Sequence, residues 1–261
     1  MEPKAKDWNP KLYLKFEKER TQPSIDLLSR IDLDSPKKII DLGCGPGNST
    51  RLLADRWPAA SVEALDSSPG MLEKAAKALP DLRFIHADLG TWVSEAKYNL
   101  IFSNATLQWI SNHHELLPRV FNLLEDEGVL AIQVPFHYSG PLNRSIIETS
   151  LDEHWKSRMG AARDALSVET ESAYYDILSA LTEDVSMWTT EYFHVMESPQ
   201  AIVDWVNSTA LRPFLAQLQD ESEVADFKAI LLGKYERAYA KQADSKVLLP
   251  FKRLFMLVRR V

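Results

Sequence analysis

Lys38-Ile39-Ile40-Asp41-Leu42-Gly43-Cys44-Gly45-Pro46-Gly47-Asn48 joins an apolar run ending in an acid to three alternating glycines. The run reads as a strand, and the glycines after it read as a turn that lets a ligand approach the backbone closely. Working outward, short apolar runs alternate with amphipathic stretches from residue 36 to 134, the pattern of βαβ units and a parallel sheet. It predicts strands over 38–42, 61–65, 82–87, 98–103 and 128–134. Helices are expected over 49–57, 69–79 and 114–124. Ligands of such sheets bind outside the carboxyl ends of the strands, near the point where strand order reverses. Asp41, Asp66 and Asp88 each end or follow one of the first three strands, so three carboxylates are expected along that edge. A strand-end aspartate also serves as a helix cap or turn former, and Asp66-Ser67-Ser68-Pro69 and Asp88-Leu89 fit that alternative too.

Composition narrows the function. The 261 residues are 45% hydrophobic with mixed charges, enough for a buried core. A net charge of -7 argues against a general nucleic-acid binder but leaves room for a small anionic ligand held by a few converging cations. Cys44 is the single cysteine, so neither an internal disulfide nor a cysteine metal cluster can form. His113-His114 has no carboxylate–histidine set spaced around it, and no metal is expected. The N-terminal residues lack the apolar core of a signal peptide, and no run approaches the ~18 apolar residues of a membrane span. The expectation is a cytoplasmic protein with no membrane, nucleic acid or obligate protein partner.

The glycine spacing selects the cofactor. A nicotinamide fingerprint needs its third glycine three places after the second, where Asn48 stands, and a phosphate-binding Walker loop needs a lysine that Gly47-Asn48-Ser49 lacks. Asp-x-Gly-x-Gly-x-Gly, with Asp66 nineteen residues after Gly47, instead resembles the first two motifs of class I S-adenosylmethionine-dependent methyltransferases. The resemblance implies a doubly wound, Rossmann-like α/β sheet with S-adenosyl-L-methionine as cofactor and S-adenosylhomocysteine as product. It assigns Asp66 to the ribose hydroxyls, Asp88 and the Leu89 backbone N–H to the adenine, and Asp41, Gly43 and Gly45 to the methionine end. Gly47, Asn48, Ser67 and Asn104 complete that set, and Arg20 is placed to reach the cofactor carboxylate. Gln108 and Trp109, after the fourth strand, are candidates for the methyl-transfer point, with Trp109 equally suited to packing on the sheet edge.

Further segments carry a closer likeness. Asp7-Trp8-Asn9-Pro10, Leu107-Gln108-Trp109, Tyr174-Tyr175-Asp176 and Leu211-Arg212-Pro213-Phe214 together resemble the trans-aconitate 2-methyltransferase family. That likeness implies methyl transfer to one carboxylate of trans-aconitate, giving a monomethyl ester. A small anionic substrate of this kind needs arginines, whose fork matches carboxylate geometry. His137, Arg163, Tyr175, His194 and Arg212 are the substrate candidates, with Arg144, Arg158 and Arg253 also in view. Pairing with acids such as Glu148, Asp152 and Glu171 is the alternative for these arginines. No catalytic residue is singled out, because an ionised carboxylate needs no base and positioning suffices. Two other functions fit the same motifs: a methyltransferase for another small acid or natural product, and a non-catalytic S-adenosylmethionine-binding module.

The expected organisation is an N-terminal lid over 1–30, in which Trp8, Tyr13 and Phe16 fold over the cofactor or staple a helix to the core. A cofactor-binding core follows over 31–135, then a helical cap over 136–182. Strands within 183–197 and 250–261 extend the mostly parallel sheet in antiparallel fashion, and 198–249 supplies a second helical cap segment.

Overall fold

The computed structural model describes residues 16–261. The roles expected of Trp8 and Tyr13, with half of the lid segment, lie outside the described residues. The chain divides into two compact units. Of the described residues, the core unit holds 16–135, 167–190 and 253–261, and the second unit holds 136–166 and 191–252.

Seven strands form one sheet: β1 (Lys38–Leu42), β2 (Ser61–Asp66), β3 (Arg83–His86), β4 (Tyr98–Asn104), β5 (Leu124–Pro135), β6 (Val185–Met196) and β7 (Val247–Arg259). The helices in chain order are α1 (Glu17–Ser29), α2 (Asn48–Arg56), α3 (Pro69–Ala78), α4 (His113–Phe121), α5 (Pro141–Ser150), α6 (Gly160–Arg163), α7 (Glu171–Ser179), α8 (Pro199–Asn207), α9 (Arg212–Leu215) and α10 (Glu221–Ala238). Strand order is β3-β2-β1-β4-β5-β7-β6. The first five strands are parallel and β7 is antiparallel to β5. Residues 191–196 of β6 and 247–252 of β7 count with the second unit. The order reverses between β1 and β4, which locates the ligand edge of the sheet.

Burial explains why the central strands read as nearly unbroken apolar runs. Ile39, Ile40, Ala64, Leu100, Ile101, Leu130, Ala131 and Ile132 are all fully enclosed, as expected of parallel strands covered on both faces. At the amino end, Glu63 accepts from the Tyr98 hydroxyl at 2.8 Å and pairs with Arg83 at 2.9 Å and Lys38 at 3.6 Å, joining four neighbouring strands. The opposite, carboxyl end is left for ligand chemistry. There Ser68 caps α3 by accepting from Met71 N–H at 3.2 Å, with Pro69 preset for the first turn.

Three element boundaries differ from the pattern reading by three residues or more, and the others by at most a single residue. β5 begins at Leu124 rather than 128 because Leu124 pairs with Tyr98 before the register shifts and Leu100 meets Val129. The skipped residues Glu125, Asp126 and Glu127 are exposed, and Glu127 has φ 61°, so a bulge inside a strand carries the composition of a turn. α4 correspondingly ends at Phe121 instead of 124. β7 starts at Val247, three residues before the 250–261 segment expected to hold it, and Arg253 lies well inside the strand.

The second unit is held by its own polar ties. α5 and α10 pack together, and the Tyr235 hydroxyl donates to the Leu142 carbonyl at 3.1 Å. Trp155 donates its indole N–H to the Thr149 carbonyl at 2.8 Å. Arg158 grips both oxygens of Glu223, at 3.0 and 2.8 Å. No described helix is long and apolar enough to cross a membrane.

Candidate functional site

The glycine turn leaves β1 at the reversal point. Gly43 has φ 76°, and a Cβ there would lie 2.1 Å from Thr106 Oγ1, so its missing side chain lets the turn after β4 press against the loop. Gly45 has φ 54° and no atom within 4 Å of where its Cβ would be. One glycine therefore serves internal packing and the other leaves an open face. Backbone N–H groups of Gly43 and Cys44 donate to the Leu65 carbonyl at 2.7 and 3.0 Å, and Gly45 N–H donates to Asp66 Oδ2 at 2.8 Å. The other Asp66 oxygen accepts from Ser68 N–H at 2.8 Å. β1 and β2 thus share one rigid corner.

Asp41 is fully buried behind this loop. Its Oδ2 accepts from Ser49 Oγ at 2.6 Å and Thr50 Oγ1 at 2.7 Å, while its Oδ1 has no hydrogen-bond partner. Burial raises its pKa from 3.8 to about 6, against the two hydroxyl bonds that lower it, and the neighbouring Asp66 adds to the rise. A buried acceptor with nothing to accept is suited to a cationic donor arriving with a ligand. Cys44 is buried, and burial first, then Asp41 and Asp66, push its thiol far above the usual range, against the thiolate a nucleophile needs.

The other cofactor candidates of the core unit fall into two groups. Asp66 is half-buried, exposed Ser67 offers its carbonyl to the His86 ring at 3.1 Å, and Asn48 Nδ2 donates to Thr21 Oγ1 at 3.2 Å. Arg20 is buried on α1, 5.9 Å from the Phe16 ring. Asp88 builds the turn after β3, accepting Gly90 N–H at 2.8 Å on its side chain and the Thr91 and Trp92 amides on its carbonyl. Leu89 beside it is buried. Asp88 therefore fills the turn-forming role weighed from the sequence, with its exposed carboxylate at the same sheet edge.

After β4 the backbone turns sharply at Ala105, φ 54°, into a 3₁₀ turn over Leu107–Trp109. Asn104 Oδ1 and Gln108 Oε1 are both buried without a hydrogen-bond partner, although Gln108 Nε2 donates to the Ala105 carbonyl at 2.7 Å. Trp109 is half-buried. Two buried residues fix the turn. The Leu107 carbonyl, 2.9 Å from His113 Nε2, accepts only a donor, which puts the ring proton there and leaves Nδ1 to accept from the Tyr174 hydroxyl at 2.9 Å. Ser167 N–H adds a bond to the Gln108 carbonyl at 2.9 Å. Tyr174, not the sequence candidate Tyr175, makes the buried contact; Tyr175 is 53% exposed. Tyr174→Phe would leave His113 Nδ1 buried without a donor, an expected loss of ~1–3 kcal/mol. Urea denaturation checks this, and a midpoint equal to that of the parent protein would contradict the proposed tie.

The second unit contains the remaining candidates. His194 is buried with its ring stacked 4.9 Å from Trp205, and His137 meets the Phe251 ring edge-on at 4.1 Å. Arg163 donates to the Ser150 carbonyl at 3.3 Å. Its helix α6 packs against α9, which begins at half-buried Arg212. Arg158 is committed to Glu223, an acid other than the three named from sequence, and exposed Arg144 donates to the Ser139 carbonyl at 3.1 Å. Sequence reasoning had not singled out Ser49, Thr50, Thr106, Tyr174 or Gln133. The last was detectable as a lone polar residue inside an apolar strand, and Ser49-Thr50 as hydroxyls directly after the glycine turn. Among the described residues, no group of three or more His, Cys, Asp or Glu side chains is placed to hold a metal ion.

An open glycine face, two anionic side chains and buried acceptors at the ends of β1 and β4 suit a ligand with a cationic donor end and no phosphate. Comparison with known proteins agrees with that chemistry. A methyltransferase-domain family matches residues 13–181. Trans-aconitate 2-methyltransferase of Escherichia coli O139:H28 (strain E24377A / ETEC) is 45% identical over 255 residues, 98% of this chain and 99% of that protein. The Shigella flexneri enzyme of the same name is 44% identical over 97% of this chain and 98% of its own length. Among solved structures, phosphoethanolamine N-methyltransferase 2 of Haemonchus contortus in complex with S-adenosyl-L-methionine aligns with TM-score 0.57 at 16% identity, covering 92% of this chain and about half, 53%, of that one. A putative sarcosine dimethylglycine methyltransferase from Galdieria sulphuraria aligns with TM-score 0.55 at 16% identity over 92% of this chain and 85% of that chain. These two likenesses are of fold.

Proposed function

The chain belongs to the trans-aconitate 2-methyltransferase family of S-adenosylmethionine-dependent methyltransferases, and from that premise we propose that it methylates one carboxylate of trans-aconitate, forming a monomethyl ester and S-adenosylhomocysteine. The observation that carries the substrate is the 45% identity sustained over 98% of the chain, beyond the cofactor half where methyltransferases of many specificities agree. Reaction in the cytoplasm on a small anionic substrate goes with that reading.

S-adenosylmethionine supplies an electrophilic methyl group on a sulfonium. Asp41 Oδ1 and Asn104 Oδ1 accept from the α-ammonium, and Arg20 holds the adjoining carboxylate. Gly43, Gly45, Gly47 and Asn48 form the cradle. Asp66 and Ser67 take the ribose hydroxyls, with Asp88 and the Leu89 N–H at the adenine. Gln108, Trp109 and Tyr175 are the core unit's proposed substrate contacts, and His137, Arg163, His194 and Arg212 remain the candidates that the sequence offers in the second unit. No general base is required, because a carboxylic acid of ordinary pKa is already ionised at neutral pH. The protein's contribution is to hold oxygen, methyl carbon and sulfur in line and exclude water, a source of ~7–11 kcal/mol in well-oriented systems.

Purified protein incubated with methyl-labelled S-adenosylmethionine and a panel of polycarboxylates, phenols and amines should label trans-aconitate most rapidly, giving a base-labile ester. Preferential labelling of a phenol or amine would reject the substrate. Cofactor binding without transfer to any acceptor would instead indicate a binding module.

A further inference from the structure

We infer that Tyr174 and His113 are positioning residues for methyl transfer, holding the turn after β4 so that Gln108 meets the reacting groups in one orientation. The inference rests on the methyltransferase reading above, which puts that turn at the transfer point, and deepens it. All the residues concerned belong to the core unit, although His113 and Tyr174 stand 61 positions apart in the chain.

The turn does not hold itself. Ala105 takes φ 54°, a left-handed conformation unfavourable for a residue with a Cβ, and such strain persists only where neighbouring bonds over-determine it. Two of those bonds are local to the sheet end: Ala105 N–H donates to the Gln133 carbonyl at 2.9 Å, and Gln108 Nε2 donates to the Ala105 carbonyl at 2.7 Å. The other two come from outside it. His113 Nε2 donates to the Leu107 carbonyl and Ser167 N–H to the Gln108 carbonyl, each at 2.9 Å.

The hydroxyl of Tyr174 decides whether the histidine can do this. A neutral imidazole has one donor and one acceptor nitrogen. With the hydroxyl donating to Nδ1 at 2.9 Å, the ring proton stays on Nε2, where the Leu107 carbonyl accepts it. Both residues are fully buried and their rings stack at 5.6 Å, so solvent cannot stand in for the hydroxyl. Without it the tautomer protonated at Nδ1 becomes available, and that form turns a bare nitrogen on the carbonyl. Two acceptors cannot stay face to face, so the turn must shift.

Gln108 is where the shift is felt. It is buried, its Nε2 is committed to Ala105, and its Oε1 has no hydrogen-bond partner. A buried acceptor in that condition marks the side of the turn that a ligand completes. Packing alone would be served by an apolar pair at 113 and 174, whereas a donor–acceptor chain ending on the backbone beside Gln108 specifies an orientation.

The test uses the full-length protein with Tyr174→Phe, which keeps the ring and removes the hydroxyl, and His113→Leu, which cuts the same chain one residue further on. His113→Gln is the conservative variant, since its amide offers one donor and one acceptor. Turnover of trans-aconitate is measured at a temperature where urea denaturation shows each variant folded, and S-adenosylhomocysteine affinity by calorimetry. In Tyr174→Phe and His113→Leu, kcat should fall about tenfold or more, with no further loss in the double variant, while His113→Gln keeps most of it. KM for S-adenosylmethionine and S-adenosylhomocysteine affinity should stay within about twofold of the parent, because the chain does not touch the glycine loop. Nitrogen-15 NMR should place the His113 ring proton on Nε2 in the parent and partly on Nδ1 in Tyr174→Phe. A folded Tyr174→Phe protein with the parent's kcat would overturn the positioning role, and so would a parent ring protonated at Nδ1 or a loss carried by S-adenosylhomocysteine affinity. The parent's own turnover separates this from the broader reading. A parent that methylates another acid in place of trans-aconitate fails the substrate assignment alone, and kcat on that acid then decides the positioning role; a parent that transfers no methyl group fails both.

Discussion

Gly45→Ala is expected to leave the fold standing and cut cofactor affinity on the order of 100-fold, whereas Gly43→Ala, two residues away, is expected to damage the fold itself. The difference lies in what a methyl group would meet. At position 45 nothing lies within 4 Å, so the new Cβ enters the open face of the loop, where the ligand must approach the backbone. The fold then bears only the strain of a positive φ, ~1–2 kcal/mol. At position 43 the Cβ would sit 2.1 Å from Thr106 Oγ1, with the rest of the threonine side chain close behind. Overpacking of ~1–3 kcal/mol adds to the same backbone strain, for a total of roughly 2–5 kcal/mol. That is a large part of the ~5–15 kcal/mol by which domains are stable. Urea denaturation and S-adenosylhomocysteine calorimetry on both variants separate the two roles. Gly45→Ala protein that binds the product cofactor within threefold of the parent would refute the cradle assignment.

Sequence pattern and structure agree most closely where chemistry and periodicity coincide. Lys38–Leu42 is one strand in both, because its apolar residues are bounded by glycines that no strand would continue through. The antiparallel extension was legible from the aromatic and aliphatic runs within 183–197 and 250–261, since β-branched and aromatic residues favour strands. The bulge at Glu125 to Glu127 was not legible: an unpaired strand residue faces water and acquires loop composition. The candidate site residues follow the same division. Asp41, Gly43 and Gly45 announce themselves by spacing within eight residues. Gln133 and Arg253 are 120 positions apart and meet only when β7 pairs with β5, a pairing no local pattern encodes. The tie from Leu107 through His113 to Tyr174 was hidden in the same way, and Tyr174 stands next to a tyrosine of the same composition and opposite exposure.

Asp41→Asn should remove a pH dependence that the parent protein shows both in stability and in cofactor binding. The folded-state pKa of Asp41 is about 6, above the reference 3.8. The folded state therefore binds more protons than the unfolded state between those values, and stability contributed by this group declines as pH rises from about 4 to about 6. Two pH units correspond to about 3 kcal/mol at most. Other carboxylates titrate in the same window, so the quantity to read is the parent minus the Asn variant, measured by urea denaturation at several pH values. Cofactor binding should run the other way. An ammonium at Asp41 Oδ1 binds the ionised carboxylate, so affinity should fall about tenfold between pH 7 and pH 5 and binding near pH 6 should release about half a proton per cofactor bound. Calorimetry in two buffers of different ionisation enthalpy detects that proton directly. Asp41→Asn keeps an oxygen to accept from Ser49 and Thr50 but carries no charge, so it should bind the cofactor at least tenfold more weakly at pH 7, and this pH dependence should be gone. A parent protein with equal affinity at pH 5 and pH 7 would move the ammonium away from Asp41, and leave its buried oxygen without the partner assigned to it.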